Sequence, residues 1–356
     1  MKKILSLISV ALLLGASLAV SCKKFTAVQD PGEGGETASL TISLSGIDAD
    51  ISTRASGTAE YNGDKTASSV QILIFDSAGN YVKKTTAAGT VKLSKGMYYT
   101  IVAVVNGPEV SNLSLIQTKA VVASLADNPF VMQGQVLVNL TDASTASVTI
   151  PVSSLASRVH LTSVRNSLPT AFGAITLKRI YLCNVKGQVQ LDATAVDSWY
   201  NQYGRKALGT LITAGSTTGA VDAASTGSAY TFKGYETTPA TSIAAGATYS
   251  ANAYYYTFPN PLKTAIPANA ATTTTWSGQA TWLTICGQVG DSIYYWTANI
   301  GAALTNGLER NNSYDVSITL NNLGSTDPGT PVTEASVTLG VEVEPWQAGS
   351  EITQTL

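Results

Sequence analysis

Hydrophobic and polar positions alternate along much of this chain. In Leu40-Thr41-Ile42-Ser43-Leu44-Ser45 three aliphatic side chains face one way and three hydroxyls the other. A period of two marks a half-buried strand. Val70-Gln71-Ile72-Leu73-Ile74-Phe75, the turn Asp76-Ser77-Ala78-Gly79-Asn80 and a run returning from Tyr81 predict a hairpin. Val91-Lys92-Leu93 and Tyr98–Val105 come next, stopped by Asn106-Gly107-Pro108. The one stretch of this half that reads as a helix is Leu113–Leu125. Val136–Val138 and Ala146–Val152 then close a first unit. A second opens near Ser157-Arg158-Val159-His160, with strands expected at 174–183, 248–258, 279–287, 292–297 and 313–320. The Gly/Ser/Thr/Ala-rich interval from about Ala207 to Ala245 reads as loop decoration. Many strands, frequent turns and little helix predict an all-β chain of two tandem β-sandwich domains, at 38–155 and 156–323.

The N-terminus has a different pattern. Lys2 and Lys3 precede an apolar run from Ile4 to Leu14, and small residues lead through Ala16-Ser17-Leu18-Ala19-Val20-Ser21 to Cys22. This is the order of a signal peptide. Its apolar core is shorter than the roughly 20 residues that span a bilayer. A cysteine at the cleavage point predicts lipidation at Cys22, although Leu18 stands one place earlier than usual and Ala19 holds the position leucine favours. Residues 23–37, with Asp30-Pro31-Gly32-Glu33-Gly34-Gly35, read as a flexible tether.

Charge narrows the partners. Only 12% of residues are charged, the formal net charge is −2, and no Lys/Arg cluster marks a nucleic-acid footprint. Cys183 and Cys286 sit in apolar stretches, so a disulfide and two buried thiols are both open readings. His160 is the single histidine and no paired-cysteine spacing exists, which argues against a zinc site. No metal, cofactor or Gly-rich phosphate loop is assigned.

The two ends of the chain answer each other. Gly324-Ser325-Thr326-Asp327-Pro328-Gly329-Thr330-Pro331 reads as a linker that holds the last segment off the second sheet. Beyond it, Val337, Leu339, Val341 and Val343 form one apolar face. Thus 324–356 reads as linker plus strand. One reading makes both terminal strands edges of their own domains. The other makes them interchangeable, with the C-terminal strand of one molecule donated into the place held by Leu40, Ile42 and Leu44 in another. Arg54, the only basic residue between Lys24 and Lys65, lies in the loop Ser52-Thr53-Arg54-Ala55-Ser56-Gly57, open to an arginine-specific protease that would cut before Ala55.

These features, together with Ile72-Leu73-Ile74-Phe75-Asp76, Ser157-Arg158-Val159, Arg310–Val316 and Val341-Glu342-Val343-Glu344-Pro345-Trp346, make the whole chain resemble the FimA-type fimbrillins, the major fimbrial subunits of Bacteroidales type V pili. The resemblance implies two transthyretin-like β domains and delivery to the outer membrane as a lipoprotein. It further implies cleavage at the position matching Arg54 and polymerisation through the C-terminal strand. Implied partners are other pilin subunits, an arginine-specific protease, the outer membrane before processing, and a host or bacterial surface ligand bound by the extracellular fimbrium. Two other functions compete with this one. An enzyme of the Ser/His/Asp kind would have to use His160, which reads as solvent-facing. A tip adhesin or glycan-binding lipoprotein would use Trp199, Tyr200, Tyr203, Tyr254–Tyr256 and Tyr294-Tyr295-Trp296, though strand aromatics are commonly packing residues.

Overall fold

The computed structural model describes residues 35–47, 67–111, 114–125, 127, 130–200, 236–264, 277–328, 330, 332 and 336–345. The first half supplies β1 (Thr37–Ser45), β2 (Val70–Asp76), β3 (Tyr81–Thr85), β4 (Gly89–Ser94) and β5 (Tyr98–Val105). The one-turn helix α1 (Leu115–Lys119) precedes β6 (Val122–Ser124), β7 (Met132–Asn139), β8 (Thr145–Pro151) and β9 (Ser153–Ser154). Sheet order is β4-β1-β8 in one layer and β3-β2-β5-β7-β9 in the other. Alternation decides the packing. Leu40, Ile42, Leu44, Val91, Leu93 and Ile150 from the small sheet meet Ile72, Ile74, Tyr99, Ile101 and Val105 from the large one in a single core.

The second half has the same plan. It runs through β10 (Ser157–Asn166), β11 (Ile175–Cys183), β12 (Val185–Lys186), β13 (Gln188–Gln190) and β14 (Trp199–Tyr200). Then come β15 (Glu236–Thr237), β16 (Ser242–Ile243), β17 (Thr248–Thr257), β18 (Trp282–Val289) and β19 (Ser292–Ala298). After the short helix α2 (Ile300–Ala303), β20 (Asn312–Leu320) and β21 (Val337–Pro345) complete the fold. One layer has the order β17-β10-β20-β21; the other is β15-β11-β18-β19, with β16 also on β11. The all-β expectation holds, and the long predicted strands match the observed ones closely.

The expected helix over Leu113–Leu125 is mostly absent. Ser114 caps one turn by accepting from the Gln117 amide, and the chain then extends. Val122–Ser124 becomes β6 because β13 of the other half pairs with it, Ala123 against Val189. A tertiary partner overrides a weak local preference here.

The two sandwiches share apolar surface. Leu73, Phe75, Val102 and Val104, on the outer face of the first large sheet, join Leu125, Phe130 and the second half in one buried cluster. The Phe130 ring meets Tyr256 edge-on at 5.1 Å. Asn311 closes the seam: its backbone amide donates to the Ala156 carbonyl (2.8 Å) and its side-chain oxygen accepts from the Ser154 amide (3.2 Å).

Candidate assembly site

β1 lies inside its sheet. It runs antiparallel to β4, with Leu40 opposite Val91, and parallel to β8, with Leu40 beside Ala146. Both of its edges are therefore hydrogen-bonded, and Leu40, Ile42 and Leu44 are buried together with Ala38. Each large aliphatic side chain so buried contributes about 1.5–3 kcal/mol. The outward face carries hydroxyls: Thr41 Oγ1 lies 3.1 Å from Thr90 Oγ1, and Ser43 Oγ lies 2.8 Å from Thr149 Oγ1. At the strand's start Lys95 Nζ pairs with Glu36 Oε2 at 2.8 Å. The ammonium holds the Glu36 carboxyl below its ordinary range, and Glu36 raises Lys95 in return. At its end Gly46 has φ +90, and a Cβ there would stand 2.2 Å from the Val152 carbonyl oxygen. Glycine is needed for that exit.

β21 has the same nine-residue length as β1 and the same alternation, but it is an edge strand. Among the described residues it pairs only with β20, antiparallel, with Val341 opposite Val316 and Leu339 opposite Ile318. Its apolar face is unevenly covered. Val337 is buried, Leu339 and Val341 are half-buried, and Val343 is 50% exposed. On the other face Glu342 stands opposite Asp315.

The linker reading needs correction for the monomer. The start of that stretch is tied down rather than held off the sheet: Ser325 and Tyr295 exchange both backbone hydrogen bonds, at 2.7 and 2.9 Å, and Trp296 Nε1 donates to the Asn322 carbonyl. Gly324 sits against Tyr295, where a Cβ would meet its carbonyl oxygen at 2.3 Å. Backbone close approach, which composition does not report, fits Gly324 and Ser325 against Tyr295. Cys22, Arg54 and Ala55 lie outside the described residues, as do Tyr203 and most of the decorated interval 207–245.

His160 is also placed differently from expectation. It is buried, stacked on Tyr254 with ring centroids 4.4 Å apart. Nδ1 lies 3.2 Å from Asp315 Oδ1 and Nε2 lies 3.0 Å from Asn252 Oδ1. Both ring nitrogens are engaged, Nδ1 by a carboxylate oxygen and Nε2 by an amide oxygen, and the arrangement clamps the sheet face. The aromatics considered for sugar stacking are mainly core: Trp199, Tyr200, Tyr255, Tyr256, Tyr295 and Trp296 are buried. Cys183 and Cys286 are buried reduced thiols. Burial pushes Cys286 up to about 11. Sequence reasoning singled out the Arg310–Val316 segment, but not the specific role of Asn311 at the seam. Its signal was a tandem Asn-Asn before a strand, a residue type that tolerates left-handed backbone.

No protein-family profile matches the sequence, and no curated protein matches it. Solved structures do match. A proposed cell adhesion protein from Parabacteroides distasonis superposes with a TM-score of 0.58 at 15% identity, over 88% of this chain and 100% of that one. A fimbrilin (FimA) from Porphyromonas gingivalis superposes at 0.55 and 17% identity, over 88% of this chain and 98% of that one. A proposed cell adhesion protein from Bacteroides eggerthii gives 0.55 at 20% identity, with 88% and 97% covered. The chain shares their fold. The all-β fold implied by the fimbrillin resemblance is thus the fold found, over the 88% of the chain that these matches cover.

Proposed function

We propose that this protein is a structural subunit of a cell-surface fimbria that supports adhesion. In this reading residues 1–22 direct export, Cys22 is acylated, and the lipid holds the precursor at the outer membrane. An arginine-specific protease cuts between Arg54 and Ala55 and severs β1 from the rest of the chain. The β21 strand of another copy then takes the place of β1, Val337, Leu339, Val341 and Val343 filling the pockets of Ala38, Leu40, Ile42 and Leu44. Other pilin subunits are the partners, as a homopolymer with accessory subunits, and the finished fimbrium is extracellular. The domain division at 38–155, 156–323 and 324–356 belongs to the same reading.

The observation that carries it is the contrast between the two terminal strands. β1 is an interior strand whose loss would open a slot walled by β4 and β8; β21 is a strand of equal length and period whose apolar face is incompletely covered at home. An exposed apolar edge is a liability in a monomer and an asset in a donor.

The test is polymerisation of the purified precursor before and after arginine-specific cleavage. Cleaved wild-type chain should form filaments, with Ala55 as the new N-terminus. The uncleaved chain and an Arg54→Ala variant should stay monomeric. Filaments from Arg54→Ala as readily as from wild type would refute the processing step.

A further inference from the structure

We propose that β21 enters a second copy of this chain with its direction reversed relative to the β1 it replaces, and that Glu342 selects this polarity by meeting Lys92. The inference rests on the strand-exchange reading above and adds the direction and the selecting contact.

Main-chain pairing does not choose the direction. The slot has one wall antiparallel to β1 and one parallel to it, so a strand of either polarity finds one antiparallel and one parallel neighbour. The apolar side chains do not choose either. In both directions three valines and one leucine enter the pockets of Ala38, Leu40, Ile42 and Leu44.

The outward face does choose. On β1, Ser39 lies opposite Lys92, Thr37 opposite Ser94, and Ser43 beside Thr149. If β21 kept the direction of β1, Thr338 would stand beside Lys92, Glu342 beside Thr149 and Glu344 beside Pro151, so neither carboxylate would have a cation as its described register partner. Reversal puts Glu342 in the place of Ser39, opposite Lys92. Glu344 then takes the place of Thr37, opposite Ser94 and one residue from Lys95. Lys95 loses its partner Glu36 when β1 departs, so a carboxylate arrives where one has left. Thr338 falls on the position of Ser43 and restores a hydroxyl beside Thr149.

The docked position supplies the opposite bias. In the monomer Glu342 is directly opposite Asp315 on β20. Like charges facing each other across a strand pair are destabilising and unlike charges stabilising. The same carboxylate therefore loosens β21 at home and matches it to the slot.

Cysteine pairs read the direction. Thr145, Thr149 and Thr338 lie on outward faces, so replacing them leaves Lys92, Glu342 and both cores intact. Two full-length proteins, Thr149→Cys with Thr338→Cys for the reversed strand and Thr145→Cys with Thr338→Cys for the unreversed one, would be cleaved, assembled and oxidised, with Thr338→Cys alone measuring background from the native thiols. The first should give a ladder of disulfide-linked subunits on a non-reducing gel that is absent before cleavage, and the second no more than background. A ladder from the second pair alone would overturn the polarity and leave strand exchange standing. Assembly with neither ladder would place β21 outside this slot and overturn the inference. Failure of the cleaved, unsubstituted chain to assemble would overturn the underlying reading instead. As a readout of charge, Glu342→Lys should slow assembly about two- to fivefold, and adding Lys92→Glu should restore part of it, the pairing of the new lysine with Asp315 at home being unchanged. No recovery in the double variant would remove Lys92 as the selecting contact.

Discussion

Asn311 shows how much a single residue can settle. Its φ of 57 places it in the left-handed region, which asparagine tolerates better than most side chains, and its two hydrogen bonds reach Ala156 and Ser154 at the seam. Asn311→Ala removes the side-chain acceptor and keeps a strained backbone. It should lower stability by about 1–3 kcal/mol, measured by chemical denaturation. Asn311→Gly, which relieves the backbone but not the lost acceptor, should recover part of that. Cys286 gives a second prediction at this scale. Its thiol is pushed up to about 11 by burial, so the folded state favours the protonated form. Such a group contributes stability that is complete below the ordinary thiol value and is lost as pH rises towards 11. Alkylation of Cys286, read by peptide mass spectrometry, should be negligible in the folded protein near neutrality and should appear on unfolding. Rapid labelling of native protein would mean that the thiol is accessible.

At the scale of elements, the two terminal strands differ in what surrounds them, although their patterns are nearly alike. Ile42 is buried in a strand paired on both sides, so Ile42→Ala should destabilise the uncleaved precursor by about 2–5 kcal/mol. Val343→Ala, in a side chain that is half exposed, should cost the monomer well under about 1 kcal/mol. Equal losses from the two would contradict the burial difference on which the donor assignment stands. Leu339→Asp tests the donor directly. Leu339 is half-buried at home, so the monomer should lose about 1–2 kcal/mol and still fold, while assembly after cleavage should stop. Parallel melting and polymerisation assays separate the two effects.

For the whole molecule, the seam and the slot set the behaviour. Because the two sandwiches share an apolar cluster, the monomer should unfold in one transition rather than two, which calorimetry would check. Cleavage after Arg54 would cut the covalent link to β1 but leave its paired edges and buried side chains in place. The nicked protein should therefore keep the β1 fragment, detectable by native mass spectrometry, until a competing β21 displaces it. Immediate loss of the fragment would mean that the slot holds β1 far more weakly than its burial implies.

Much of this was legible in the chain. Period-two alternation located β1, β2, β5, β10, β11, β17 and β20, because a strand between a core and solvent must present opposite characters on its two faces. The same alternation singled out β21 and its four aliphatic positions. Short strands such as β6 and β13 were missed, since two or three residues carry no period and exist only because each pairs with the other. The clamp around His160 was missed for a related reason: Asp315 and Asn252 are remote in sequence and come together through register alone.

By itself, then, the sequence determined the all-β class, the strand positions and the kinship between the first and last strands. These depend on local patterns of side chains, which a chain carries wherever it goes. Tertiary structure alone decided that β1 is interior and β21 an edge, that Ser325 is strapped to Tyr295, and that Glu342 faces Asp315. Neighbours across a sheet are chosen by the packing of distant segments. Identical alternation is compatible with a strand that is locked between two others and with one that has a side still open.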